Sequence, residues 1–305
     1  TPDYSSAASD VYKRQDYVVS ALSELGLMRS RIGMEKSSLF LTAKLSESIQ
    51  AKTPNVEWQD TSSLVSELRL VKSNLEMEYV RKAAKAADAG MISAINTIRE
   101  GASDYEVCAE CSRAMILAGS EYPGFGPFVR PTSRLGEEHT TWRGEIFKNG
   151  EAVFLEIAAS YRKYQAPMGR LVYVGNAPPD TEKSVQLAID GMKAINKAII
   201  PGAKAGDVYD AWREVAIKGG LKNYERHHCG YLVSIGFPPS WTGGSMVTAL
   251  APNSKLKLKV GMTFHTHSWF TNTDCVDYFI SNTSLLTNNG CEVLTSQTPE
   301  TLQIK

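Results

Sequence analysis

The chain has no excess of either charge: Lys+Arg and Asp+Glu stand at 33 each in 305 residues. That removes the bulk electrostatic pull on which nucleic-acid and membrane-surface binders rely. No apolar run approaches the roughly 18 residues that a membrane-spanning helix needs. Cysteine is sparse, odd in number and scattered, at Cys108, Cys111, Cys229, Cys275 and Cys291. A disulfide framework is therefore excluded, and a reducing cytoplasm is the expected compartment. Cys108 and Cys111 form a C-x-x-C pair inside a helical stretch, but without a second pair zinc is not expected and core placement is. Histidine is missing from the first 138 residues; all five, His139, His227, His228, His265 and His267, fall in the later part. The side chains whose ordinary titration lies near neutrality are thereby gathered into one region, as a site would gather them.

What is present is the composition of a globular protein, 43% hydrophobic and 22% charged, long enough for one large domain and part of another. Residues 1–15, TPDYSSAASDVYKRQ, have no apolar core of a signal peptide and resemble translated adapter sequence. They are expected to be a non-native or disordered leader. From Tyr17 to Leu70 the pattern gives a helix (YVVSALSELGL), a strand (SSLFLTA) and a second short α/β unit, too little for a complete domain. A long amphipathic helix follows, with Leu75, Val80, Ala83, Ala84, Ala87, Met91, Ile95 and Ile98 on a helical period. Gly101 stops it, and Ser103 with Glu106 forms a capping box for the next helix. IREGASDYEV at 98–107 is echoed by IIPGAKAGDV at 199–208, pairing Gly101 with Gly202 and Val107 with Val208. Each copy links two helices, which suggests a duplication feeding two halves of one sheet. The strand signals are EAVFLEIAASYRKYQ, GRLVYVG, GYLVSIGF, GMTFHTHSWF, YFISNTSLLT and CEVLT, with TNNG turning between the last two. The reading is α+β: a curved, mostly antiparallel sheet with paired helices outside it.

Glu156 stands mid-strand in VFLEIAAS. A carboxylate there must face a polar cavity or be paired, because an unpaired buried charge is costly. Arg162 and Arg170 are the available partners if its role is structural. His265 and His267 lie two apart and so share one face of a strand.

The frames around these residues resemble those of the creatinase/methionine-aminopeptidase "pita-bread" superfamily. VFLEIAASYRKYQAPMGR supplies the strand pair, RHHCGYLVSIGFPPSW the Gly-x turn, GMTFHTHSWF the next strand and FISNTSLLTNNGCEVLT the last. Metal-dependent members hold two ions with two aspartates eleven residues apart, a histidine and two glutamates. At those positions this chain has Glu156, Pro167, Tyr231, His267 and Ser281. One carboxylate, one imidazole, a phenol, a hydroxyl and a proline do not make a dinuclear site. No metal and no other cofactor are expected. The strings YRKYQAP, RHxxGYxxxIGFPPxW and GMTFH resemble the metal-free branch of the superfamily and, within it, the ectoine hydrolases. Asn282, where those relatives have glutamate, and His267, where they are apolar, depart from the pattern.

The resemblance implies three regions: the leader 1–15, a remnant of a creatinase-type N-terminal domain at 16–71, and a pita-bread catalytic domain at 72–305. It implies a metal-independent hydrolase of non-peptide C–N bonds, opening a cyclic amidine such as ectoine, a compatible solute. A creatinase-type amidinohydrolase and an inactive peptide- or protein-binding module stand as alternatives. Glu156 and His139 are the expected catalytic pair, with His139 moving protons at the cleft edge. His227, Tyr231, His265, His267, Tyr164, Arg170, Trp241 and Ser281 are the expected substrate-binding set. Arg170 is placed either to meet a carboxylate or to brace the sheet, and Trp241 and Trp269 either to wall in a cation or to pack in the core. His228 is expected to face away from the pocket. The partners implied are a small zwitterionic substrate and a second copy of the chain in a homodimer, not nucleic acid or membrane.

Overall fold

The computed structural model describes residues 14–242, 247–271, 273 and 276–305. Most of the expected leader and Cys275 lie outside the described residues; Arg14 and Gln15 already belong to the first helix. The chain divides into two compact units at residues 68 and 69. No described helix is long and apolar enough to cross a membrane.

The smaller unit contains α1 (Arg14–Glu24), β1 (Arg31–Met34), α2 (Ala43–Lys52), β2 (Glu57–Asp60) and α3 (Leu64–Leu68). β1 and β2 pair in parallel, as a β-α-β connection requires. The strand expected at SSLFLTA is not one. The Ser38 hydroxyl accepts from the Phe40 N–H, and Thr42 caps α2 by accepting from the Leu45 N–H at 3.2 Å. These local side-chain bonds occupy backbone donors that a ladder would need. Leu39 and Phe40 are left exposed.

The larger unit is built from two similar runs. The first is α4 (Asn74–Thr97), α5 (Asp104–Leu117), β3 (Phe128–Pro131), β4 (Ala152–Tyr161) and β5 (Tyr164–Tyr173). The second is α6 (Thr181–Ala198), α7 (Ala205–Lys218), β6 (Gly230–Leu232), β7 (Thr263–Phe270) and β8 (Tyr278–Thr287). The sheet order β3-β4-β5-β8-β7-β6 reads the same from either edge: short strand, hairpin, hairpin, short strand. β9 (Gly290–Val293) adds to β8 antiparallel, and β10 (Gln303–Ile304) to β5 in parallel. The echoed glycines fit this plan, since Gly101 and Gly202 follow the first helix of each run with φ of +81° and +85°. A residue with a Cβ is strained in that region, so glycine is the natural stop. Val107 and Val208 are both fully buried.

α4 begins at a capping box between Ser73 and Glu76, and α5 at the expected one between Ser103 and Glu106. The predicted apolar stripe of α4 is buried from Val80 to Ile98, while Leu75 in its first turn is exposed. Val153, Leu155 and Ile157 of β4 share a core with Ala83, Ala87 and Met91 of α4. Strand side chains alternate, so Phe154, Glu156 and Ala158 must face the other way. The strand expected over GYLVSIGF is regular only at Gly230–Leu232.

Candidate functional site

One rung of the sheet gathers several of the candidate residues. Phe128 pairs with Glu156, Glu156 with Gly169, Gly169 with Ser281, and Ser281 with His267. Residues in register on neighbouring strands present side chains to one face. Glu156 from the first half and Ser281 and His267 from the second therefore look into the same space. Gly169 leaves the centre of the rung bare, and a Cβ there would lie 2.2 Å from the Phe279 ring. The β4–β5 hairpin that fixes this register turns through Arg162 and Lys163, both with positive φ, the conformation of a tight two-residue hairpin turn.

Above the rung lies a cavity of about 430 Å³, lined by Glu156, His267, Tyr231, His227, His228, His139, Trp241, Trp269, Phe125, Arg130, Arg226 and Glu138 among others. Tyr231 and Ser281 hold His265 between them: its Nδ1 is 2.8 Å from the Tyr231 hydroxyl and its Nε2 2.8 Å from Ser281 Oγ. The Trp241 indole N–H, which can only donate, bonds the same tyrosine oxygen at 2.7 Å. The Tyr231 O–H is then free to donate to His265 Nδ1, which assigns the imidazole proton to Nε2, on the side of Ser281 and Glu156. His265 Nε2 is 4.0 Å from Glu156 Oε1.

Burial sets the protonation states. It pushes the Glu156 carboxyl up to about 7, against the pull of the Arg130 guanidinium, with Glu138 adding to the rise and Arg226 opposing it. Burial pushes His228 down to about 3 and holds His265 and His267 well below the ordinary imidazole range, their mutual proximity adding to it. The same desolvation raises the Tyr231 phenol. The cavity floor is thus a carboxyl raised toward neutrality beside imidazoles that burial keeps uncharged. Both ring nitrogens of His267 are buried without a hydrogen-bond partner, so this imidazole is available to a ligand.

The expected residues divide as follows. Glu156, His139, His227, Tyr231, His267 and Trp241 line the cavity, and His265 and Ser281 sit directly behind it. His139 adopts a left-handed φ of +55° and stacks on Phe125, ring centres 5.9 Å apart and nearly parallel. His228, expected to face away, also lines the cavity: its Nδ1 accepts from the Gly230 N–H at 3.3 Å, which turns the ring inward beside Tyr231. Trp269, expected to wall in a ligand cation, already carries the Arg226 guanidinium 4.3 Å from its ring centre.

Tyr164 and Arg170 do not reach the cavity. The Tyr164 hydroxyl donates to Glu76 at the start of α4, 2.7 Å away. Arg170 is fully buried and spends all five N–H groups on the carbonyls of Gly169, Ser281, Thr298 and Pro299 and on Asn282 Oδ1. Asn282, in turn, donates to Glu300 at 2.6 Å. The departure at Asn282 thus belongs to a brace on the outer side of the sheet, where successive strand residues must point if Ser281 points in. Arg170→Leu is expected to destabilise the protein by about 3 kcal/mol in urea melts, by stranding this network. Kinetics per folded molecule should be unchanged.

Arg130, Arg226, Glu138 and Phe125 also line the cavity, though none is marked by a motif of its own in the sequence. Arg226 directly precedes the histidine pair in RHHCGY, and that adjacency was the available signal. Arg130 lies on β3, for which the sequence carries no strand pattern.

The superfamily's peptidases imply a metal, which requires several convergent acidic or imidazole donors. Pro167, Tyr231 and Ser281 cannot complete a dinuclear site, and the latter two are committed to His265. Among the described residues, Glu156, His265 and His267 are the one group whose potential ligand atoms come within 4.8 Å of one another. Engaging His265 there would require its Nε2 to give up Ser281. The dinuclear centre does not fit these residues.

Residues 78–288 match the profile of metallopeptidase family M24, and residues 3–71 that of the creatinase/prolidase N-terminal domain. The ectoine hydrolase of Halomonas elongata is 29% identical over 303 residues, covering 96% of this chain and 75% of that protein. The Xaa-Pro dipeptidase of Pyrococcus furiosus is 24% identical over 262 residues, 86% of this chain and 73% of that protein. Among solved structures, the Xaa-Pro dipeptidase from Bacillus anthracis superposes with a TM-score of 0.83 at 23% identity, covering 95% of this chain and 78% of that one. The X-Pro aminopeptidase from Thermotoga maritima gives 0.81 at 17%, covering 96% and 80%. At these identities the structural likeness establishes the fold, the expected pita-bread architecture.

Proposed function

Because the chain belongs to metallopeptidase family M24 yet presents one carboxylate where its peptidases need several acidic ligands, we propose that it hydrolyses a C–N bond of a cyclic amidine without a metal, with Glu156 as the base. The observation that carries this reading is Glu156 itself, a buried carboxyl brought to about 7 at the floor of a cavity of ligand size. A general base works best when its pKa lies near the working pH. The likeness to an ectoine hydrolase over 96% of the chain supports the substrate class.

An amidinium is a planar delocalised cation, and an ionised Glu156 both attracts it and takes a proton from water. As the water oxygen bonds to the amidine carbon, one water proton passes to Glu156. His139 at the cavity wall donates a proton to the departing nitrogen, the ring C–N bond breaks, and the hydroxyl gives up its remaining proton as the carbonyl forms, so that the amine leaves as ammonium. Amidine plus water gives amide plus amine, which for ectoine is an N-acetylated diaminobutyrate. Since Glu156 must be ionised, kcat/KM should rise with pH through about 7, the value to which burial brings that carboxyl.

Purified protein incubated with ectoine, hydroxyectoine and creatine, followed by NMR, tests the reading. The expected result is amide formation from a cyclic amidine, insensitive to chelators, with substoichiometric metal content. The group Glu156, His265 and His267 favours one competing reading, a single-ion hydrolase. Stoichiometric metal whose removal abolishes turnover would establish that reading instead.

A further inference from the structure

The cavity contains a second charged group that the hydrolytic reading does not use. Arg226 lines it with its side chain only 14% exposed, its guanidinium laid on the Trp269 ring. Its Nε is buried and has no hydrogen-bond partner. Its nearest acidic neighbour, the half-exposed Glu138, is 3.9 Å away at a terminal nitrogen, too long for a hydrogen bond. The other arginine of the cavity, Arg130, donates to the Glu137 carbonyl, stacks on Phe154 and is the leading counter-charge of Glu156. Arg170 has no donor left. Arg130 also leaves its Nε buried and unpaired, but a terminal nitrogen is spent on the Glu137 carbonyl and its charge on Glu156. Arg226 is the cavity guanidinium held on an aromatic face and free of both commitments, as bidentate recognition of a carboxylate requires.

We propose that Arg226 is the anchor for a carboxylate group of the substrate, so that the cavity takes zwitterions with the cation at Glu156 and the anion at Arg226. The proposal rests on the amidine reading for its cationic half only. Arg226 with Glu138 and Arg130 with Glu156 make two opposite charge pairs, and a zwitterion adds no net charge to them. An unanchored amidine would leave the Arg226 Nε desolvated and unpaired, which selects against substrates lacking the acid.

The test is calorimetric titration of the full chain with three probes: ectoine, its decarboxylated cyclic amidine, and cyclohexanecarboxylate, an anion with no cationic centre. Wild type should prefer ectoine to the decarboxylated amidine. Arg226→Met should weaken ectoine by roughly 100-fold, abolish that preference, and leave the decarboxylated amidine unchanged. Arg226→Lys, which keeps the charge but not the fork, should fall between the two and shows the effect in a second folded variant. Cyclohexanecarboxylate binding that is lost in Arg226→Met, with no amidine bound by wild type, would uphold the anion site and sink the amidine reading. Equal weakening of ectoine and the decarboxylated amidine, or ectoine binding indifferent to Arg226, would overturn the anchor.

Discussion

Glu156→Gln is expected to cut turnover by a hundred- to several-thousand-fold while making the protein more stable above neutral pH. The glutamine keeps the size and most hydrogen-bonding capacity of the side chain but removes the base. The lost transition-state stabilisation is on the order of 3–5 kcal/mol. The gain in stability follows from the same burial. The folded-state value of about 7 lies above the ordinary glutamate value of 4.5, so the folded state favours the protonated acid. The stability this gives is present below about 4.5 and is lost as pH rises through 7, where the charge must be buried. Removing the charge should therefore recover on the order of 3 kcal/mol at pH 8. Kinetics and thermal melts of the variant at pH 6 and pH 8 check both halves. Weaker binding at near-normal turnover would make Glu156 a cation-binding residue only. Lower stability at both pH values would make it an ion-pair partner. His139→Ala should also slow turnover, with the loss in kcat, since proton transfer belongs to the transition state.

A steep loss of stability on mild acidification is the second large effect. His228, His265 and His267 are all buried and neutral, their folded values depressed below 6.5. A group with a depressed value contributes stability that is present above its unfolded value and lost as pH falls below it. Between about pH 6.5 and 4.5, unfolding takes up three protons on these rings and releases one from Glu156, a net uptake approaching two. The free energy of unfolding should then fall by roughly 2–3 kcal/mol for each pH unit, enough to consume much of the stability of a typical domain. Urea melts at half-unit intervals measure this slope. His267→Asn should flatten it by about one proton; an unchanged slope would mean that His267 is not buried neutral.

The sequence carried the fold at the level where patterning and turn chemistry act. The apolar stripe of α4, the capping box at Ser103, the strand pair at 153–170, the TNNG turn and the echoed glycines were all legible, because each is decided by neighbours close in the chain. The failures were decided elsewhere. SSLFLTA has strand composition, but Ser38 and Thr42 claim its backbone for a turn and a helix cap. Arg170 lies on the right hairpin and takes the second of its two expected roles, the brace, while register sends Tyr164 to the start of α4. His228 follows His227 directly and should alternate with it, but no regular strand begins until Gly230. Glu156, His267, Tyr231 and Ser281 were legible because superfamily frames fix their positions. The two cavity arginines were not, since an arginine's partners are known only once the chain has folded around it.

The large sheet is close to a palindrome, and its contents are not. Glu156 and His267 occupy matching places, fifth in β4 and fifth in β7, and Pro167 and Ser281 are each fourth in the partner strand of their hairpin. A duplicated scaffold supplies two equivalent seats, and here one holds an acid and the other an imidazole that stays uncharged. The pocket therefore has a direction that its backbone lacks. Exchanging those two side chains would move the acid of the pocket to the opposite seat within an unaltered frame.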